Sequence, residues 1–222
     1  MNQKEIAARS AAGLVKDGQV VGLGTGSTAA FAIAEIARRI KDEGLDITGI
    51  PTSIATEQMA RSLDIPLSTV DEHPEIDIDI DGADQVDALF QVIKGGGGAH
   101  TREKIVAKHS RVFAVIVDES KMSNVLNIPV PVEAEPDLWK SVAKELKALG
   151  ANPGLRIVSG APFITDNKNY VIDADFGTLE NPGALEKDIN SIDGVIDNGI
   201  FVGLTSEVHV GTANGIKILK PE

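Results

Sequence analysis

The sequence predicts an α/β chain: a mostly parallel sheet with helices on both faces, followed by a smaller α+β unit. Three observations predict it. Apolar runs such as RVFAVIVD (residues 111–118) read as strands covered on both sides. Segments with helical spacing alternate with these strands through residue 128. Beyond that point prolines 129, 131 and 136 crowd one short stretch, and the alternation changes to a β-α-β-β-α-β-like order.

In chain order, residues 3–17 predict a helix, and QVVGLG (19–24) a strand that stops at glycine. From Thr28 to Glu43, Ala29, Ile33, Ile36 and Ile40 recur at spacings of 4, 3 and 4, one apolar helical stripe. DITGI (46–50) is a strand, residues 53–63 a helix, and IPLSTV (65–70) a further strand. EIDIDIDGAD (75–84) alternates with period two, so it is a strand ending at Gly82 with Asp77 and Asp79 on a polar face. ALFQVIKG (88–95) is read as another strand of the same sheet, with a helix from Thr101 to His109 after it. NIPVPVEAEP (127–136) reads as a boundary or an edge strand. A helix (137–150), strands near 155–159 and 169–175, a helix (183–190) and a strand near 199–204 complete the small unit. The tail predicts two strands around a turn at Asn214-Gly215. The expected division is a Rossmann-like main domain at 1–128 and 206–222, and a ferredoxin-like domain at 129–205.

Composition narrows the function classes. A chain of 222 residues with net charge −12 and no basic stripe disfavours nucleic acid as a partner. The absence of cysteine removes disulfides and thiolate chemistry. The first residues, MNQKEIAARS, have no hydrophobic signal region, and no apolar run is long enough for a membrane, so a cytoplasmic protein is expected. The four histidines show no metal-ligand spacing, and no metal is expected.

Three stretches carry candidate chemistry. GLGTGSTAA (22–30) joins a strand to a helix. Its glycines, the helix N-terminus and the hydroxyls of Thr25, Ser27 and Thr28 suit a phosphate, although a plain tight turn would look the same. It is neither a P-loop, for want of the lysine, nor a dinucleotide fingerprint, because position 27 is serine. DIDIDGAD (77–84) is not a calcium loop, since its twelfth position is Ala88. It sets Asp81 at a strand end and Asp84 just beyond, where ligands of parallel sheets sit. Either aspartate taken alone is better read as a helix-capping or turn residue. In VIKGGGGAHTREKIVAKHS (92–110), Lys94 precedes four glycines and Glu103 opens a helix. A lysine and a carboxylate could polarise a carbonyl while removing a proton, or could be ordinary surface and helix-start residues. Lys121 follows a fourth strand end, in DESK.

GLGTGSTAA, DGADQVD, KGGGGAHTREKIVA and DESK together resemble ribose-5-phosphate isomerase, type A, in order and spacing over nearly the whole chain. The resemblance implies interconversion of ribose 5-phosphate and ribulose 5-phosphate through an enediolate, in the pentose phosphate pathway, without metal or organic cofactor. It implies Glu103 as the base, Lys94 as the oxyanion-stabilising cation, Asp81 as a proton relay in ring opening, and Asp84 as a partner of hydroxyls or of Lys94. It implies a substrate-binding set of Thr25, Gly26, Ser27, Thr28, Gly82, Ala83, Gly95, Gly96, Gly97 and Lys121. Gly98 and His100 depart from the family pattern. The resemblance also implies a homodimer or homotetramer. The alternatives are another sugar-phosphate enzyme, a coenzyme A transferase of related fold, or a non-catalytic sugar-phosphate sensor.

Overall fold

The computed structural model describes residues 2–221 and contains two compact units. The first runs up to residue 83 and takes in 102–122 and the chain from 204 onward; the second comprises 84–101 and 123–203. In chain order the elements begin α1 (Gln3–Ala12), β1 (Gln19–Leu23), α2 (Ser27–Glu43), β2 (Ile47–Pro51), α3 (Ile54–Ser62), β3 (Ile76–Gly82). Next come β4 (Gln85–Val86), β5 (Val92–Ile93), α4 (His100–His109), β6 (Ser110–Asp118), β7 (Val130–Ala134), α5 (Trp139–Ala148), β8 (Asn152–Leu155). The rest are β9 (Ile157–Val158), β10 (Ala161–Pro162), β11 (Tyr170–Asp175), α6 (Pro182–Asn190), β12 (Val195–Asn198), β13 (Ile200–Phe201), β14 (Glu207–Thr212) and β15 (Gly215–Leu219).

The first unit contains the expected parallel sheet. Its order is β15-β14-β6-β3-β1-β2, and every neighbouring pair is parallel except the terminal β14–β15 hairpin. Val21, Leu23, Ile78, Ile80 and Ile116 join α1 and α2 in one core, to which α2 brings Ala32, Ile33 and Ile36. Val106 of α4 packs with Ile50 and Ile76 in a separate cluster. Covering both faces changes one expectation. Asp79 is not on a polar face but fully buried, because Val106 and Asp79 crowd the same side of Gly22. The helix foreseen at 3–17 stops at Ala12, capped by Gly13, and IPLSTV makes only a single bridge, Leu67 to Gly49. Among the described residues no helix is long and apolar enough to cross a membrane.

The buried His209 of β14 bonds Ser10 of α1 through Nδ1 (2.8 Å) and Glu207 through Nε2 (3.2 Å), while Lys220 pairs with Glu207 at 2.8 Å. Burial alone would push the Glu207 carboxyl up. The Lys220 and His209 partners outweigh it and hold the group below the ordinary glutamate range. This network ties the first helix to the last strands.

In the second unit β7-α5-β8-β11-α6-β12 forms an antiparallel sheet in the order β12-β7-β11-β8, the ferredoxin-like arrangement, with β9–β10 as an inserted hairpin. Val132, Val142, Leu146, Ile172 and Ile189 fill its core. Two expectations change here. β7 is an interior strand and not an edge, despite Pro131. The strand before the glycine run does not join the parallel sheet: β5 pairs antiparallel with β4 and β13. That pairing is also why residues 84–101 fall in the second unit rather than with the residues around them in sequence.

Pro131 explains how the backbone at Lys94 is held. Residues of an antiparallel hydrogen-bonded pair normally exchange two bonds. Gly199 donates its N–H to the Pro131 carbonyl (2.7 Å), but Pro131 has no N–H to return. The Gly199 carbonyl instead accepts from the Lys94 N–H at 2.9 Å. A Cβ on Gly199 would overlap the Lys94 carbonyl, so the close approach requires glycine.

Candidate active site

In the first unit β6, β3 and β1 are adjacent and parallel, so their carboxyl ends share one edge. Three candidate groups leave from that edge: the loop at Thr25 to Thr28, the Asp81 strand end, and the turn at Lys121 after β6. A side chain at Gly24 would overlap the Asp81 carboxylate, and the bare backbone there lets the two segments touch. Asp81 is fully buried, and its Oδ1 accepts the N–H groups of Thr25 (2.9 Å) and Gly82 (2.7 Å).

The hydroxyl of Thr25 does not serve as an outward donor. It lies in a cluster with the hydroxyls of Thr52, Ser53 and Thr56, at 2.7, 2.9 and 3.1 Å. Thr52 and Thr56 in turn donate to the carbonyls of Leu23 (3.0 Å) and Gly24 (2.8 Å). The start of α3, capped by Ser53, thereby braces the loop after β1. The outward positions are Gly26 and Ser27, both exposed, with Thr28 half-buried. They form the N-terminus of α2, where backbone N–H groups and the helix dipole favour an anion. Lys4 of α1 adds a cation: its Nζ donates to Ser27 Oγ at 3.0 Å. Sequence reasoning misses Lys4, because nothing in a helix more than twenty residues upstream marks it as part of this loop.

Glu103, from the first turns of α4, belongs to the first unit and is 5% exposed. Gly82 and Ala83 are half-buried at the strand end, and Lys121 is half-buried at the close of a 3₁₀ turn.

Asp84, Lys94 and the glycines belong to the second unit. Lys94 is 2% exposed, with its ammonium 5.7 Å from the centroid of the Phe201 ring. Asp84 accepts the Gly96 N–H through Oδ2 at 2.7 Å, so this aspartate shapes the glycine loop. The four glycines have different reasons. Gly95 (φ 103°) and Gly98 (φ 74°) adopt left-handed backbone, and side chains there would strike His100 and Phe163 respectively. Gly96 and Gly97 are exposed, and a side chain on Gly97 would meet nothing within 4 Å. The fold therefore accounts for the two outer glycines and leaves Gly97 as bare backbone facing open space.

Two further residues were not legible in the sequence. Arg156 donates from Nη1 to the carbonyls of Gly95 (2.9 Å) and Gly96 (3.0 Å). Glu133, fully buried on β7, accepts from Thr101 at the start of α4, from Thr165 (2.7 Å) and from Asn169 (3.0 Å). Proline-rich surroundings hide Glu133, and Arg156 lies in an irregular stretch between β8 and β9. Among the described residues no group of three or more His, Cys, Asp or Glu could hold a metal ion.

Comparison with known proteins identifies one family. The family described as Ribose 5-phosphate isomerase A (phosphoriboisomerase A) matches residues 48–215. Ribose-5-phosphate isomerase A of Methanosarcina acetivorans is 48% identical, with 98% of this chain and 94% of the relative covered. That of Natronomonas pharaonis is 49% identical, over 97% and 96%. The solved ribose 5-phosphate isomerase A of Methanocaldococcus jannaschii superposes with TM-score 0.94 at 45% identity, covering 98% of each chain. A D-ribose-5-phosphate isomerase solved in complex with phospho-erythronic acid gives TM-score 0.95 at 41% identity, over 99% of this chain and all of the other.

Proposed function

The chain belongs to the ribose 5-phosphate isomerase A family and is an isomerase, an intramolecular oxidoreductase; from that premise we propose that it interconverts D-ribose 5-phosphate and D-ribulose 5-phosphate through an enediolate, with Glu103 as the base. The observation that carries this reading is burial. Glu103 and Lys94, on one short segment, keep only 5% and 2% exposure, and buried ionisable groups so close in sequence are most common at functional sites. The phospho-erythronic acid held by a relative supports it too. That ligand puts a planar anionic carboxylate on a sugar-phosphate skeleton, the shape and charge of an enediolate.

In this reading Asp81 relays the proton that opens the furanose ring. The Glu103 carboxylate then takes the proton from carbon 2. The C–H electron pair forms the C1–C2 double bond, and the carbonyl pair moves onto O1, where Lys94 offsets the developing charge. O1 gains a proton and the hydroxyl on carbon 2 gives one up. The double bond returns electrons to carbon 1, which takes its proton from Glu103, leaving the ketone at carbon 2. Ser27, Thr28, Gly26 and Lys4 hold the phosphate, with Lys121 as a further substrate cation. Thr25 and Asp84 hold their loops in shape, beside Gly82, Ala83 and Gly95–Gly97. The same reading places the enzyme in the cytoplasm and the pentose phosphate pathway, as a homodimer or homotetramer.

The test is turnover of ribose 5-phosphate in deuterium oxide. Ribulose 5-phosphate forms and carries some solvent deuterium on carbon 1. Absence of turnover sinks the substrate assignment, and complete retention of the original hydrogen at every extent of reaction sinks the enediolate route.

One substitution probes the loop. A Cβ on Gly96 would lie 2.7 Å from Asp84 Oδ1, so a side chain there must displace that carboxylate. Gly96→Val is expected to lower turnover about 10²-fold through misplacement, with a melting temperature near the parent's. Parent-like turnover in the purified variant would remove Asp84 and this loop from the reaction.

A further inference from the structure

The glycine loop is gripped from one side by a single guanidinium. Arg156 Nη1 donates to two successive carbonyls, those of Gly95 and Gly96. The guanidinium is itself fixed: Nε donates to Asp173 Oδ2 at 2.9 Å, and Nη2 to the other carboxylate oxygen. Its Cζ lies 5.8 Å from the Phe163 ring centroid, and Phe163 is the side chain packed against Gly98. The Arg156 side chain is 14% exposed and that of Asp173 35%, so the guanidinium is largely covered while its carboxylate partner reaches solvent.

Peptide geometry turns that grip into an orientation. No cis bond occurs among the described residues, and in a trans peptide the N–H points opposite to its own carbonyl. With the Gly95 carbonyl on Arg156, the Gly96 N–H faces away and reaches Asp84. With the Gly96 carbonyl also on Arg156, the Gly97 N–H faces away from the guanidinium as well. That N–H has no hydrogen-bond partner among the described residues, and the space beside Gly97 is open.

We infer that Arg156 is a positioning residue for the isomerisation: held by Asp173, it turns the Gly97 N–H toward the sugar oxygen that carries charge in the enediolate. The inference rests on the isomerase reading above and adds a donor to it. Lysine could not replace this arginine. Its point charge lacks the planar fork that pairs with Asp173 along one edge while reaching two carbonyls from the next nitrogen.

Steady-state kinetics on ribose 5-phosphate with Arg156→Ala, Arg156→Lys and Asp173→Asn test it, with thermal melts alongside. Arg156→Ala is expected to lower kcat about 10²-fold with KM nearly unchanged, because the lost contact is strongest to the charged intermediate. Guanidinium ion, added well below denaturing concentrations, restores part of that kcat in Arg156→Ala and none in Arg156→Lys, where the site stays filled. Asp173→Asn, which keeps the guanidinium, falls about tenfold. A folded Arg156→Ala with parent kcat overturns the inference. So does a loss that tracks melting temperature in both Arg156→Ala and Asp173→Asn and resists guanidinium, since a purely structural role predicts that outcome. An inactive parent protein would instead remove the isomerase reading, and this inference with it.

Discussion

Glu103→Gln lowers the turnover of ribose 5-phosphate by about 10²–10⁴-fold, the range for loss of a general base, while KM stays close to the parent value. The substitution is isosteric and the site is 5% exposed, so the packing around the first turns of α4 is retained. The amide cannot accept a proton from carbon 2, the step proposed above for the carboxylate. Isomerisation and exchange of the carbon 2 hydrogen with solvent should therefore fall together. If exchange continued at the parent rate while isomerisation collapsed, another group would be the base and Glu103 would act later. If neither changed, the assignment would fail outright.

Lys94→Met gives the second large effect, a fall in kcat of about 10²–10³-fold, the loss expected when one stabiliser of a developing oxyanion is removed. Methionine matches the length of the lysine stem and removes only the ammonium. At a position 2% exposed, methionine fills the space of the stem and gives up the ammonium's place 5.7 Å from the Phe201 ring. The variant should stay folded, with a melting temperature close to the parent's, while losing turnover far beyond what any change in stability explains. That combination separates a catalytic cation from a structural one, whose removal would lower both. Calorimetry and kinetics on the same preparation decide it, and a variant with parent kcat would exclude Lys94 from the chemistry.

The sequence made the parallel half of the molecule readable because its signals are local. The stripe of Ala29, Ile33, Ile36 and Ile40 marks α2, and the alternation up to Gly82 marks β3 and its end. The loops after β1 and β3 were readable for the same reason: glycine and aspartate stand next to the strands they terminate. What escaped depends on partners distant in sequence. β5 is two residues long, and only its pairing with β13, more than a hundred residues away, takes it out of the parallel sheet. Pro131 suggested an edge strand, yet β7 is interior because the missing donor falls where Lys94 supplies one. Asp79 looked polar-faced until both sides of the sheet were covered. Lys4 and Arg156 carry no local mark at all; each matters only through the loop it reaches. Thr25 is the converse case, a hydroxyl in a phosphate-like motif that is consumed inside a hydroxyl cluster.

Pro131 also bears on how this protein could be engineered. A designer scanning for weak points would flag a proline in the middle of a ladder and replace it with a β-branched residue, expecting a firmer sheet. The new amide hydrogen would then compete for the Gly199 oxygen that now anchors Lys94. At this one position, hardening the scaffold and keeping the ammonium in place pull in opposite directions, and thermostable variants should be sought elsewhere in the chain.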